Sequence, residues 1–138
     1  MSDILAVDAA VAMSWCFPEE ADGYAYAVLD ALPDSTAMAP SLWPVELANA
    51  LAMGERRKRI TRSGVTRFLA LIAALPIEID SETSARALDY ALPLARAFSL
   101  TVYDATYLDL AMREGLTLAT LDVELRKAAR KAGVRIFS

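Results

Sequence analysis

Apolar residues along this chain fall into two alternating rhythms, short unbroken runs and longer stretches spaced by three and four. Ile4-Leu5-Ala6-Val7 is apolar throughout and ends at Asp8, the pattern of a buried strand. A short helix is predicted to follow through Trp15 and to stop before Pro18. Residues 19–32 read as a helix closed by Pro33-Asp34, and residues 36–39 as a second strand. Ser41 as a cap and Pro44 in the first turn predict a helix running to about residue 59. Val65, Phe68, Leu69, Ile72 and Leu75 sit at helical spacing within residues 61–75. The alternation in 77–79 predicts a short strand, and a helical stretch covers 81–98. Residues 101–114 form a further helix ended by Gly115, and 116–121 a strand. A helix over 122–132, with Gly133 after it, precedes a last strand over 134–137.

Strands alternating with helices over the whole length imply a parallel sheet flanked by helices. With no internal repeat, linker or low-complexity segment, residues 1–138 are expected to form one α/β domain. The 56% apolar and 23% charged content is that of a globular chain. The longest uncharged runs, such as 35–45 and 68–77, fall well short of a membrane span. Asp3 stands where a signal peptide would carry basic residues, so none is expected. The single cysteine, Cys16, lies between Trp15 and Phe17, and predicts a reduced, buried thiol in a cytoplasmic protein.

Charge changes the picture in two ways. The net charge of −4 argues against simple electrostatic attraction to nucleic acid. Locally, however, Arg56, Arg57, Lys58 and Arg59 form one basic cluster, and Arg126, Lys127, Arg130, Lys131 and Arg135 another. Such clusters either meet phosphate or solvate helix C-termini. The absence of histidine excludes histidine acid–base cleavage, Ser-His-Asp hydrolysis and histidine zinc sites. Hydrolytic chemistry here must use carboxylates, hydroxyls, lysine, the one cysteine or a hard metal held by oxygen.

Four acids stand out by position. Asp8 and Asp122 each follow a predicted strand and precede a helix, Asp104 begins a helix, and Glu46 lies in the first turns of another. Ordinary capping accounts for each one singly, and Thr101 with Asp104 fits a capping box. Their apolar neighbours and the lack of adjacent basic residues point instead to a shared hard cation.

The segments Val7-Asp8-Ala9-Ala10-Val11-Ala12, Pro40-Ser41-Leu42-Trp43-Pro44-Val45-Glu46-Leu47-Ala48-Asn49, Leu100-Thr101-Val102-Tyr103-Asp104-Ala105 and Leu118-Ala119-Thr120-Leu121-Asp122 occur in series. Together they resemble the PIN-domain family, and more closely the VapC-type toxins of bacterial toxin–antitoxin pairs. The resemblance implies a three-layer α/β/α sandwich with a five-stranded parallel sheet. It also implies an acidic pocket for Mg2+ or Mn2+ and endonucleolytic cleavage of RNA to 5′-phosphate and 3′-hydroxyl ends. On that resemblance Asp8, Glu46 and Asp104 match the family's most constant acids, Asp122 the fourth, and Thr120 the hydroxyl of its Ser/Thr-x-Asp motif. Asn49 falls one turn after Glu46, where it would orient the glutamate or a water. Partners implied are a VapB-type antitoxin and a second copy in a homodimer, with Trp15, Phe17 and Trp43 belonging either to those surfaces or to the core. One departure is Ala10, where many members carry Ser or Thr.

Two other classes fit less well. A phospho-receiver domain wants an acidic pair after the first strand, and a haloacid-dehalogenase-type phosphatase wants Asp-x-Asp, whereas here Asp8 is followed by Ala9-Ala10. A catalytically weakened PIN domain that binds RNA or a partner remains the alternative within the family.

Overall fold

The computed structural model describes residues 4–17 and 23–138. Four strands, β1 (Leu5–Val7), β2 (Ala37–Pro40), β3 (Ile77–Asp80) and β4 (Thr117–Ala119), form one sheet in the order β3-β2-β1-β4, every pair parallel. The helices are α1 (Ala9–Ser14), α2 (Gly23–Ala31), α3 (Leu42–Arg56), α4 (Arg62–Ala74), α5 (Thr83–Arg86), α6 (Leu92–Phe98), α7 (Val102–Glu114) and α8 (Val123–Lys131). One core cluster joins Ala6, Leu118, Leu47, Leu108 and Leu125, a second joins Leu5, Val7, Val28 and Leu32, and a small third joins Ala91, Ala95 and Ala105. Neighbouring residues of β1 thus serve different clusters, as the twofold alternation of a strand buried on both faces requires. The α/β class read from the sequence is the class observed.

Several boundaries differ from the sequence expectation. The predicted fifth strand over 134–137 contracts to a single parallel bridge, Leu118 to Ile136, so the sheet has four strands and not five. On that side of β4 only Leu118 pairs, its N–H donating to Arg135 O at 2.8 Å and its carbonyl accepting from Phe137 N at 2.9 Å. The predicted helical stretch 81–98 is divided into α5, a π-helical turn (Ala87–Ala91) and α6. Pro93 explains the break, because its ring conflicts with the carbonyl of residue 89 in a regular α-helix. Ser41 does not cap α3 with its side chain; its N–H donates to Thr83 Oγ1 at 2.8 Å. Cys16 is part-exposed instead of buried. The first four residues of the expected helix 19–32, with Pro18, lie outside the described residues, and α2 runs from Gly23. Gly115 does end α7, in a left-handed conformation with φ 66°. No helix among the described residues is long and apolar enough to cross a membrane.

Strand order decides where chemistry can gather. From β1 the chain adds β2 and β3 on one side, then returns to place β4 on the other side of β1. The carboxyl ends of β1 and β4 therefore flank a topological switch point, where open parallel sheets form a crevice. Helices that follow a strand, or run back before one, begin at that same edge. The N-termini of α1, α3, α7 and α8 all start there.

Candidate functional site

Each predicted acid lies at one of these helix starts. Asp8 is the N-cap of α1, with Oδ1 accepting from Val11 N at 2.9 Å. Asp122 is the N-cap of α8, with Oδ1 accepting from Leu125 N at 2.8 Å. Asp104 is the third residue of α7, where the cap is Thr101, whose hydroxyl accepts from Asp104 N at 3.1 Å. Glu46 is the fifth residue of α3. Asp8 and Asp122 act as caps, and a cap occupies one lone pair of a carboxylate that has several, which leaves others for further partners.

Register explains the tightest contact. Val7 pairs with Ala119, so the next residues of the two strands, Asp8 and Thr120, meet at the crevice. Asp8 N donates to Ala119 O at 3.1 Å, and the Thr120 hydroxyl donates to Asp8 Oδ2. The same hydroxyl accepts from Asp122 N at 3.1 Å. Thr120 is fully buried and joins the first acid to the last. Glu46 has a different support: Tyr107, on the α7 face one turn after Asp104, donates its phenol to Glu46 Oε1 at 2.6 Å.

The electrostatics are those of crowded like charges. Burial, opposed by the Thr120 and Val11 hydrogen bonds and helped by Asp104 and Glu46, raises the Asp8 pKa to about 6. Burial also raises Glu46, against the Tyr107 hydrogen bond, with Asp104 adding to the rise. Asp104 is raised by burial and by Asp122. Tyr107 is pushed up by its own burial and by Glu46 and Asp8. The influences on the three raised acids include no lysine or arginine. The donor set is all oxygen and short of positive charge, which fits a hard divalent cation.

A different trio of acids is the most tightly gathered among the described residues. Oxygens of Asp80, Glu82 and Glu114 lie within 4.8 Å of one another. Arg113 already supplies their positive charge, with Nη2 2.7 Å from Asp80 and Nη1 3.3 Å from Glu82 and 2.9 Å from Glu114. This cluster is an arginine-centred ion network, and the predicted quartet is spread more widely.

The remaining expectations divide. Thr120 lies at the centre of the crevice, whereas Asn49 is exposed on α3 and its side chain has no hydrogen bond among the described residues. Ala10 is exposed in the first turn of α1. Trp43 and Phe17 are core residues, and Trp15 is part-buried with its indole N–H donating to Ala25 O at 2.8 Å. Tyr107 was missed by sequence reasoning, and Arg126 was read only as a member of a basic cluster. The signal for Tyr107 was its i,i+3 spacing from Asp104. Arg126 Nε donates to the Thr120 carbonyl at 2.7 Å, a contact no spacing announces.

Residues 5–131 match the family model described as PIN domain. No curated protein matches the chain. Among solved structures, PAE2754 from Pyrobaculum aerophilum is similar with 22% identity and a TM-score of 0.67, over 93% of this chain and 86% of that one. VapBC2 from Rickettsia felis, bound to a DNA fragment from its promoter, gives 14% identity and a TM-score of 0.67, over 97% of each chain. FitAcB from Neisseria gonorrhoeae gives 20% identity and a TM-score of 0.62, over 97% of this chain and 96% of that one.

Proposed function

The chain belongs to the PIN-domain family, and on that footing we propose that it is a Mg2+- or Mn2+-dependent endoribonuclease, the toxin of a toxin–antitoxin pair. The observation that carries this reading is the crevice between β1 and β4, where Asp8, Glu46 and Asp104 are held above their ordinary pKa values with no basic residue among the influences on them. Nuclease activity is typical of the family. Asp8, Glu46 and Asp104 would hold the cation, with Asp122 at the rim and exposed. When bound, the cation supplies Lewis acidity toward water and phosphate oxygens.

The chain's own groups do the rest. Thr120 fixes the rotamer of Asp8 through its hydroxyl, and Tyr107 fixes Glu46 through its phenol. In hydrolysis a water oxygen bonds to phosphorus and the bond to the 3′ oxygen breaks, leaving 5′-phosphate and 3′-hydroxyl ends. Asp104, part-exposed and raised in pKa, is the assigned acceptor of the water proton. The lack of histidine favours this route over attack by the 2′-hydroxyl.

A VapB-type antitoxin, a homodimer and a cytoplasmic setting complete the proposal. Support for the antitoxin comes from structural neighbours solved as VapBC2 and FitAcB. The test is cleavage of RNA by purified protein with Mn2+, compared with Asp8→Asn. Loss of cleavage in the folded variant is expected. Full cleavage by that variant would overturn the assignment. RNA binding without cleavage in the parent would favour the weakened, RNA-binding alternative, to which Ala10 gives some ground.

A further inference from the structure

A second feature lies beside the acidic crevice and carries the opposite charge. Between α8 and the segment after it runs an open cleft of about 600 Å³, lined by Tyr24, Arg126, Arg130, Arg135 and Phe137 among others. Among the described residues, no aspartate or glutamate lines it. Local sequence explains its composition. The buried positions of α8 are Leu125, Ala128 and Ala129, so Arg126 and Arg130, four apart, share an adjoining face. After Gly133 the chain bridges β4 at Ile136, and strand alternation puts Arg135 and Phe137 on the side opposite Ile136. The second basic cluster of the sequence thus divides: Arg126, Arg130 and Arg135 line the cleft, while Lys127 and Lys131 are exposed outside its lining, Lys127 lying 3.5 Å from Glu124.

The cleft is built and shares a wall with the crevice. Arg126 lies over the Tyr24 ring at 4.6 Å, and Tyr24 meets Phe137 edge-on at 5.9 Å between centroids. Arg126 is held by the carbonyl of Thr120, whose hydroxyl holds Asp8. An acidic centre by itself repels a polyanion, and a strand crossing it needs an attractive surface alongside. Guanidinium groups interleaved with aromatic rings are the usual means of holding single-stranded nucleic acid, through phosphate pairing and base stacking.

We infer that the cleft between α8 and residues 133–138 is a subsite for single-stranded RNA, seating the phosphates and bases next to the scissile bond. The inference rests on the ribonuclease reading. It specifies where the strand lies and assigns Arg130 and Arg135 to phosphate binding, with Tyr24 and Phe137 as the stacking surface.

The test is binding of a short fluorescein-labelled oligouridylate in EDTA, by anisotropy over a range of salt. The parent is expected to bind, and the double variant Arg130→Gln/Arg135→Gln to bind roughly tenfold more weakly. The slope of log K against log salt should fall by about 0.7 for each arginine removed. Arg57→Gln, in the other basic cluster, should match the parent. Unchanged binding by the double variant, an equal loss in Arg57→Gln, or no binding by the parent overturns the subsite. Equal binding of poly-glutamate through the same arginines overturns the assignment to RNA. Arginine-dependent RNA binding without cleavage in Mn2+ sinks the ribonuclease reading alone, and cleavage with cleft-independent binding sinks this inference alone.

Discussion

Tyr107 Oη lies 2.6 Å from Glu46 Oε1, a hydrogen bond that ties α7 to α3 across 61 positions of sequence. It joins the element carrying Asp104 to the element carrying Glu46, and so sets the spacing of two of the four acids. The phenol also lowers the Glu46 pKa against the rise that burial causes.

Replacing Tyr107 with Phe removes that donor and leaves the ring in place. Stability is expected to fall by about 1 kcal/mol, the net value of one hydrogen bond. Glu46 loses the influence that lowers its pKa, so the acid limb of the cleavage profile moves to higher pH. The check is kcat/KM against pH with Mn2+; an acid limb at its original position rules out a positioning role for Tyr107.

Thr120 is expected to tolerate Ser and not Val. Thr120→Val deletes the hydroxyl that serves both Asp8 and Asp122 N, leaving buried polar groups unpaired at a cost of about 1–3 kcal/mol. Asp8 then titrates at higher pH, because the Thr120 hydrogen bond lowers it in the parent. Thr120→Ser keeps the donor and should keep activity within a fewfold. Melting temperature and metal affinity of the two variants give the comparison.

Asp8 sets a pH dependence whose sign follows from its direction of shift. Its folded pKa is about 6, above the ordinary 3.8, so folding favours the protonated form. The stabilisation is complete below the unfolded value and is lost as pH rises through the folded one. In EDTA near pH 7, Asp8→Asn should therefore melt above the parent by roughly 10 °C, corresponding to about 3 kcal/mol. The gap should close near pH 4. Added Mn2+ should reverse the order at pH 7, stabilising the parent and not the variant, as a site that binds metal in its ionised form requires. Scanning calorimetry at both pH values decides the matter, and a variant that melts lower in EDTA counts against the buried charge.

Arg113 is expected to matter for folding and not for chemistry. Arg113→Ala leaves Asp80 buried without its partner, 2.7 Å away in the parent, at a cost of about 3 kcal/mol. Denaturant unfolding should show that loss, while cleavage per folded molecule stays at the parental level. Lost cleavage in protein that remains folded would mean that the Asp80–Glu82–Glu114 cluster takes part in the reaction.

Much of the fold was legible because it rests on local pattern. The apolar run before Asp8 and the spacing of Val65, Phe68 and Ile72 gave β1 and α4 nearly to the residue. The last strand was not legible. Residues 134–137 have the pattern of a strand, yet their pairing with β4 closes on Leu118 alone. Thr120 leaves the ladder there because its hydroxyl turns to Asp8 and its carbonyl to Arg126.

The sequence by itself determined the α/β class, the caps at Asp8, Thr101 and Asp122, and the exclusion of histidine chemistry. These depend on residue type and on neighbours three or four positions away, which any chain carries with it. Tertiary structure alone decided that β4 lies beside β1, that Thr120 meets Asp8 across 112 positions, and that Arg126, Arg130 and Arg135 share one cleft. Strand order and register made those choices. Both follow from how buried faces pack against one another, and neither is written in the residues near the site.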